Sequence, residues 1–370
     1  MTDLTRRTIL GSGLLAGVGV LSACGGSPTS ECLQGEHQLD GGPAFTFPFI
    51  AGERPRWERQ VSLQGLAVSP DGRRIAAQEP WDRKSLGESE TAGTTVWDTA
   101  TGEILARFND GMTNGVAWHP HDELLATATY AGLHISRLDG KVLWTLRGHR
   151  APTRWRSFDI KDLAFHPDGH QLTSLSTDGT VRLWSLDGDA CTPSPVLRVR
   201  SGRPSSLAYT EDGSQIAIAV DGAGAQLWDP SSGERAETFD DCGREAVGIA
   251  LDGQGRFVLG IGEEGRLQVV GQDGTCSAGT STRITVPEFI ATAPDGRIAV
   301  SGGKTEGLEL WDADLTESSF IDLPEFIPEI GAPGELGRTA WGPDGTLYAV
   351  ARWWGVIAWN GSEWRPFELP

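Results

Sequence analysis

The chain has 370 residues, of which 38% are apolar, with 49 glycines, 14 tryptophans and only 2 methionines, a composition that suits many short strands joined by tight turns rather than long helices. Fifty acidic against 31 basic residues leave a formal net charge of -19. This excludes nucleic acid and anionic lipid headgroups as the main partner, because phosphates are bound by basic side chains. A chain of this length has room for two or three average domains, yet a closed all-β architecture of the same size commonly forms one.

In chain order, the first residues read as an address. Thr5-Arg6-Arg7-Thr8-Ile9-Leu10 sets a twin-arginine pair, Arg6 and Arg7, before an apolar stretch from Ile9 to Ala23 that Gly11, Gly13, Gly17 and Gly19 interrupt. The stretch is too short and too rich in glycine for a membrane span. Leu21-Ser22-Ala23-Cys24 resembles a bacterial lipobox. The resemblance implies a signal peptide over residues 1–23, export by the twin-arginine route, and lipidation of Cys24 that holds the chain on the outer face of the cytoplasmic membrane. An ordinary secretory signal cleaved near Ala23 is the other reading. Residues 24–52 then form a tether and extension, starting with the flexible Gly25-Gly26-Ser27-Pro28-Thr29-Ser30. Cys32, Cys191, Cys242 and Cys276 follow, and an oxidising compartment permits two disulfides among them in any of three connectivities.

From there the chain repeats. Gly65-Leu66-Ala67-Val68-Ser69-Pro70-Asp71-Gly72 recurs in pattern at 115–122, 162–169, 206–213, 248–255, 289–296 and 338–345, each with alanine third: Ala67, Ala117, Ala164, Ala208, Ala250, Ala291 and Ala340. An apolar strand, an Asp-Gly turn and a second strand at a spacing of forty-odd residues is the period of propeller blades. A third strand ends in Trp97, Trp184, Trp228, Trp311 or Trp359, with Ile135 and Val269 in the remaining two blades, and a fourth returns as at 103–108 and 141–146. The expected fold is all-β, a seven-bladed β-propeller of four-stranded antiparallel blades over residues 53–370. Either 363–369 or 56–61 closes the last blade.

These residues resemble the WD-repeat family, most fully in the third blade: Arg147-Gly148-His149, then 162–169, then Ser176-Thr177-Asp178-Gly179-Thr180-Val181-Arg182-Leu183-Trp184. The resemblance implies a buried network that braces the blade, formed here by His149, Ser174 or Ser176, Asp178 and Trp184. Trp97-Asp98, Trp228-Asp229 and Trp311-Asp312 keep the Trp-Asp pair, but no other blade is preceded by Gly-His. The resemblance further implies a non-enzymatic scaffold that binds a protein or peptide of the cell envelope. We expect a monomeric propeller with no cofactor, and contact with the membrane through the lipid anchor only.

In this topology the loops between second and third strands, and the links between blades, share one face. Trp81, Tyr130, Arg154, Trp155, Arg156, Arg352, Trp353 and Trp354 fall there, on blades consecutive around the ring, with Arg83 nearby. Large aromatics with arginine have the composition of an interface hot spot. The competing expectation is that the tryptophans fold back as plugs or caps. The proline-rich link 323–337 belongs to the same face, as a lid or a spacer.

On the opposite face, His119, His121, His166 and His170 occupy adjacent turns. They are weak candidates for a metal site, since no cysteine or carboxylate pattern completes one. No nucleophile or phosphate-loop motif appears in context. The alternatives to a scaffold are a propeller hydrolase, lyase or cofactor-dependent oxidoreductase with its site at the channel mouth, and a ligand-binding sensor subunit of an envelope complex.

Overall fold

The computed structural model describes residues 32–38, 65–78, 93–108, 115–129, 132–149, 160–186, 196–199, 202–239, 242–262, 265–277, 279–303, 305, 307–323, 336–351 and 355–367. The first strand, β1 (Cys32–Gln38), precedes seven antiparallel units of four consecutive strands. Blade one is β2 (Gly65–Val68), β3 (Arg74–Gln78), β4 (Thr94–Asp98) and β5 (Ile104–Phe108). Blade two is β6 (Val116–Trp118), β7 (Leu124–Thr129), β8 (Gly132–Arg137) and β9 (Lys141–Leu146). Blade three is β10 (Ile160–Phe165), β11 (Gln171–Ser176), β12 (Thr180–Ser185) and β13 (Val196–Arg198). Blade four is β14 (Arg203–Tyr209), β15 (Ile216–Asp221), β16 (Gly224–Trp228) and β17 (Arg235–Phe239). Blade five is β18 (Ala246–Leu251), β19 (Phe257–Ile261), β20 (Arg266–Val270) and β21 (Thr280–Ser281). Blade six is β22 (Phe289–Thr292), β23 (Ile298–Ser301), β24 (Gly307–Trp311) and β25 (Ser318–Asp322). Blade seven is β26 (Leu336–Trp341), β27 (Leu347–Ala351), β28 (Gly355–Trp359) and β29 (Trp364–Pro366). The expected all-β propeller is the observed fold, with no helix among the described residues.

The first strand of every blade touches the first strands of both neighbours, and β26 touches β2, so the first strands form a closed inner ring. In every blade but the second, the turn between first and second strands ends in a glycine at positive φ, as at Gly72 (71°), whose amide donates to the carbonyl three residues back, as from Gly72 to Ser69. That geometry combines a tight turn with a left-handed residue, which favours glycine over any residue with a Cβ. The core is divided accordingly. Seven apolar clusters each lie between two consecutive blades: Phe108 and Val96 meet Trp118 and Val142 between blades one and two, and Trp97 and Ile75 meet Phe367 and Val350 between blades one and seven. The register alanines are buried in blades two and five and half-buried in the others, on strands whose free edge faces the channel.

Closure comes from the described part of the 363–369 segment, residues 363–367. Trp364–Pro366 is the fourth strand of blade seven, pairing Trp364 with Trp359 and Pro366 with Ile357. Blade one is complete from its own consecutive strands, and 56–61 lies outside the described residues. Side chains then join the two ends. Arg365 donates from Nη1 to the Ala100 carbonyl at 2.7 Å and from Nη2 to that of Thr99 at 2.6 Å, while Phe367, 2% exposed, fills the blade one interface. Beyond this, β1 adds a fifth strand to blade two by pairing antiparallel with β9, Cys32 opposite Leu146 and Gln38 opposite Lys141. Nothing in the 24–52 segment signalled that strand. Of the disulfide candidates, Cys242 bonds Cys276, which ties the start of blade five to its own outer edge.

Candidate functional site

The blade links lead into the first strands, so the starts of β10, β14, β18, β22 and β26 mark the channel end that carries those links. A cavity of about 690 Å³ opens there, lined by the first strands of blades three to seven. Its walls are polar for a structural reason: every first strand is an edge strand, hydrogen-bonded to its second strand on one side only.

Four of these strands carry a β-bulge at an equivalent place, between Ile160 and Asp162, Pro204 and Ser206, Ala246 and Gly248, and Leu336 and Thr339. A bulge inserts a residue without a ladder partner and re-aims its side chain. Here it delivers Lys161, Ser205 and Arg338 to the cavity lining.

Arg338 spans the channel. Its Nη1 donates to Asp162 Oδ1 at 2.7 Å and its Nη2 to the Lys161 carbonyl at 3.2 Å, so blade seven is tied to blade three. The guanidinium also lies 5.7 Å from the ring centre of Phe289 in blade six. Asp162 is 5% exposed, and its carboxylate accepts further bonds from the Ser206 hydroxyl (3.1 Å), the Leu207 amide (3.0 Å) and the Leu163 amide (3.1 Å). Burying a carboxylate is costly unless hydrogen-bond partners surround it, and here they come from three blades. Two buried polar atoms in the same lining, Arg338 Nε and Thr339 Oγ1, have no hydrogen-bond partner.

The loops that carry Trp81, Tyr130, Arg154, Trp155, Arg156, Arg352, Trp353 and Trp354 lie outside the described residues, as do Arg6, Arg7, Cys24 and Cys191. The blade three network lies within them. His149 Nδ1 is 3.0 Å from Asp178 Oδ2, its Nε2 is 2.8 Å from Ser174 Oγ, and Trp184 Nε1 donates to the same Ser174 oxygen at 2.8 Å. Thr180 Oγ1 donates to Asp178 Oδ1 at 2.6 Å. Ser174 is therefore the hydroxyl between histidine and tryptophan, whereas the oxygen of Ser176 accepts the Asp178 amide at 3.2 Å. The register explains the degeneracy elsewhere. The residue corresponding to Ser174 is Ala77, Ala128, Ile218, Gly260, Val300 and Ala349 in the other blades, and Trp228 Nε1 and Trp311 Nε1 are left buried without a partner.

The Trp-Asp aspartates have a separate duty. Asp98, Asp229 and Asp312 cap the outer hairpins, with Asp229 Oδ1 accepting from the Ser231 hydroxyl (2.6 Å) and amide (2.7 Å). These bonds, the Ser231 hydroxyl foremost, hold the Asp229 carboxyl down to a pKa of about 2.

On the opposite face, His119 and His166 act as struts between blades. His119 Nε2 donates to the Gly169 carbonyl and His166 Nε2 to the Gly213 carbonyl, each at 3.0 Å, while each Nδ1 faces its own turn. A Cβ on Gly213 would come within 2.1 Å of the His166 ring, so the strut requires glycine there. His119 and His166 thus have both nitrogens engaged. Beside them, His121 stacks edge-on against His119 at 6.2 Å and the His170 amide donates to Asp168. Among the described residues no group of three or more His, Cys, Asp or Glu is arranged to hold a metal ion.

Residues 140–185, the outer strand of blade two with most of blade three, match the family model described as WD domain, G-beta repeat. Among curated proteins the chain is similar to Protein HIRA of Oryza sativa subsp. japonica, 30% identical over 169 residues that make up 38% of this chain and 16% of the relative. It is 29% identical over 241 residues to Transducin beta-like protein 2 of Mus musculus, covering 60% of this chain and 50% of the relative. A third similarity, 24% over 257 residues, is to Telomerase protein component 1 of Mus musculus, covering 68% of this chain but 9% of that protein. The chain thus spans no more than half the length of any of the three.

Proposed function

From a seven-bladed propeller that carries a WD40 repeat, we propose a non-enzymatic protein-interaction scaffold, displayed on the outer face of the bacterial cytoplasmic membrane through lipidated Cys24 after export on the Arg6-Arg7 signal. The working surface is the face that carries the blade links, with Trp81, Tyr130, Arg154, Trp155, Arg156, Arg352, Trp353 and Trp354 as its aromatic and cationic contacts. The observation that carries this reading is the strand order. Four consecutive antiparallel strands per blade set the ends of the second strands and the starts of the first and third strands at one end of the ring, where the polar cavity opens. A propeller of the WD40 kind is typically an interaction scaffold, and a ring of edge-to-edge sheets offers a rigid rim for loops that make contact. The Cys242–Cys276 disulfide supports the export part, because such bonds persist in oxidising compartments. A crosslinking pull-down from membranes of the native host tests the surface. Changing Trp81, Trp155, Trp353 and Trp354 together to alanine is expected to abolish partner recovery, and undiminished recovery overturns the assignment.

A further inference from the structure

We propose that the channel mouth is a carboxylate-binding site that takes an acidic side chain of an extended peptide, with Arg338 and Lys161 as its receptors. This rests on the reading that the link-bearing face binds a protein or peptide, and it names the chemistry of what enters. The bulges at equivalent places in blades three and seven present both cations to one cavity. Arg338 is held ready for a ligand: Asp162 and the Lys161 carbonyl fix two of its nitrogens, and its Nε–H is buried without an acceptor. The Lys161 ammonium has no ion pair among the described residues. Both groups can only donate, so what satisfies them must accept.

The sign and size of the ligand charge follow from the neighbours. Asp162 and Glu288 share the lining, so a singly charged carboxylate meets less repulsion there than a doubly charged phosphate. The planar guanidinium also matches a carboxylate fork. The unpartnered Thr339 hydroxyl adds a further polar contact, and the free edges of the first strands offer backbone groups to an extended chain. A cavity of about 690 Å³ has room for a few residues.

Calorimetric titration of the full chain with acetyl-Gly-Glu-Gly-amide, its glutamine counterpart and inorganic phosphate tests the proposal. The glutamate peptide is expected to bind about tenfold more tightly than the glutamine peptide, each tenfold being about 1.4 kcal/mol. Lys161→Gln is expected to weaken the glutamate peptide roughly five- to tenfold without moving the urea midpoint, since no described ion pair is lost. Arg338→Lys, which keeps the charge but loses the fork, is expected to weaken it as well. Equal binding of the two peptides, binding of neither, phosphate binding as tight as that of the glutamate peptide, or an affinity of Lys161→Gln within about twofold of the parent overturns it. Running Lys161→Gln in the pull-down separates the two readings. Recovery lost in the tryptophan variant but kept in Lys161→Gln refutes only the carboxylate site, and the reverse refutes only the aromatic surface.

Discussion

Ser174 shows how one hydroxyl decides whether a blade carries the bracing network. Its oxygen lies between His149 Nε2 and Trp184 Nε1, each 2.8 Å away, in a site from which solvent is excluded. Blades four and six have Ile218 and Val300 at the corresponding place, and their tryptophan N–H groups are buried without a partner. Apolar packing therefore replaces the network in those blades, whereas in blade three the histidine and tryptophan are both built around the oxygen. Ser174→Ala is expected to lower unfolding free energy by about 2 kcal/mol, the cost of orphaning buried polar groups. Ser176→Ala, which loses one 3.2 Å bond to a backbone amide, is expected to cost about 1 kcal/mol or less. Urea titration of both variants checks the order. His149, Asp178 and Trp184 were legible through the resemblance to the WD-repeat family. The choice between Ser174 and Ser176 was not, since both sit on the second strand on the same face, and only the register shows which one lies beneath the indole.

At the scale of the element, the outer hairpins are held by aspartates whose carboxylates receive backbone and hydroxyl donors. Asp98 and Asp312 are held below the usual carboxylate range by such bonds, and Asp229 down to about 2. A carboxyl whose folded pKa is depressed stabilises the fold above its unfolded pKa, and that contribution is lost as pH falls through the folded value. Asp229→Asn keeps the turn and removes the charge. The variant is expected to be less stable than the parent at pH 7, by no more than about 1 kcal/mol because the site is exposed and screened. The gap is expected to close between about pH 4 and pH 2. Thermal unfolding at pH 7, 4 and 2.5 reads the difference. The hairpins were legible in sequence because the Asx turn and the Asp-Gly turn are local, specified by residues two to five apart. The bulges were not, since no residue type marks an inserted position, and it was the bulges that brought Lys161 and Arg338 into one cavity.

For the whole molecule, stability depends on closing a ring whose last blade must find its first. Phe367 is 2% exposed in the cluster shared with Leu66, Ile75 and Trp97 of blade one, and Arg365 hydrogen-bonds the carbonyls of Thr99 and Ala100. Phe367→Ala is expected to cost roughly 3–5 kcal/mol through the cavity it leaves. Leu105→Ala on the outer strand of blade one, where the side chain is 40% exposed, is expected to stay within about 0.5 kcal/mol of the parent. Urea midpoints decide it, and similar losses in the two variants would remove Phe367 from the role of closure.

The sequence by itself determined the seven repeats, the four-strand order and the tight turns, because each depends on neighbours close along the chain, and the resemblance to the WD-repeat family implied the blade three network. Only the tertiary structure decided that β1 joins blade two, that Cys242 bonds Cys276, that 364–366 closes the ring, and that Arg338 reaches Asp162 across 176 residues of chain. The physical reason is that every blade presents much the same small and apolar faces to its neighbours. A local pattern therefore says that blades pack, but the choice of which distant residues meet is made by ring geometry, where twist and closure bring the bulged strands together at the channel mouth.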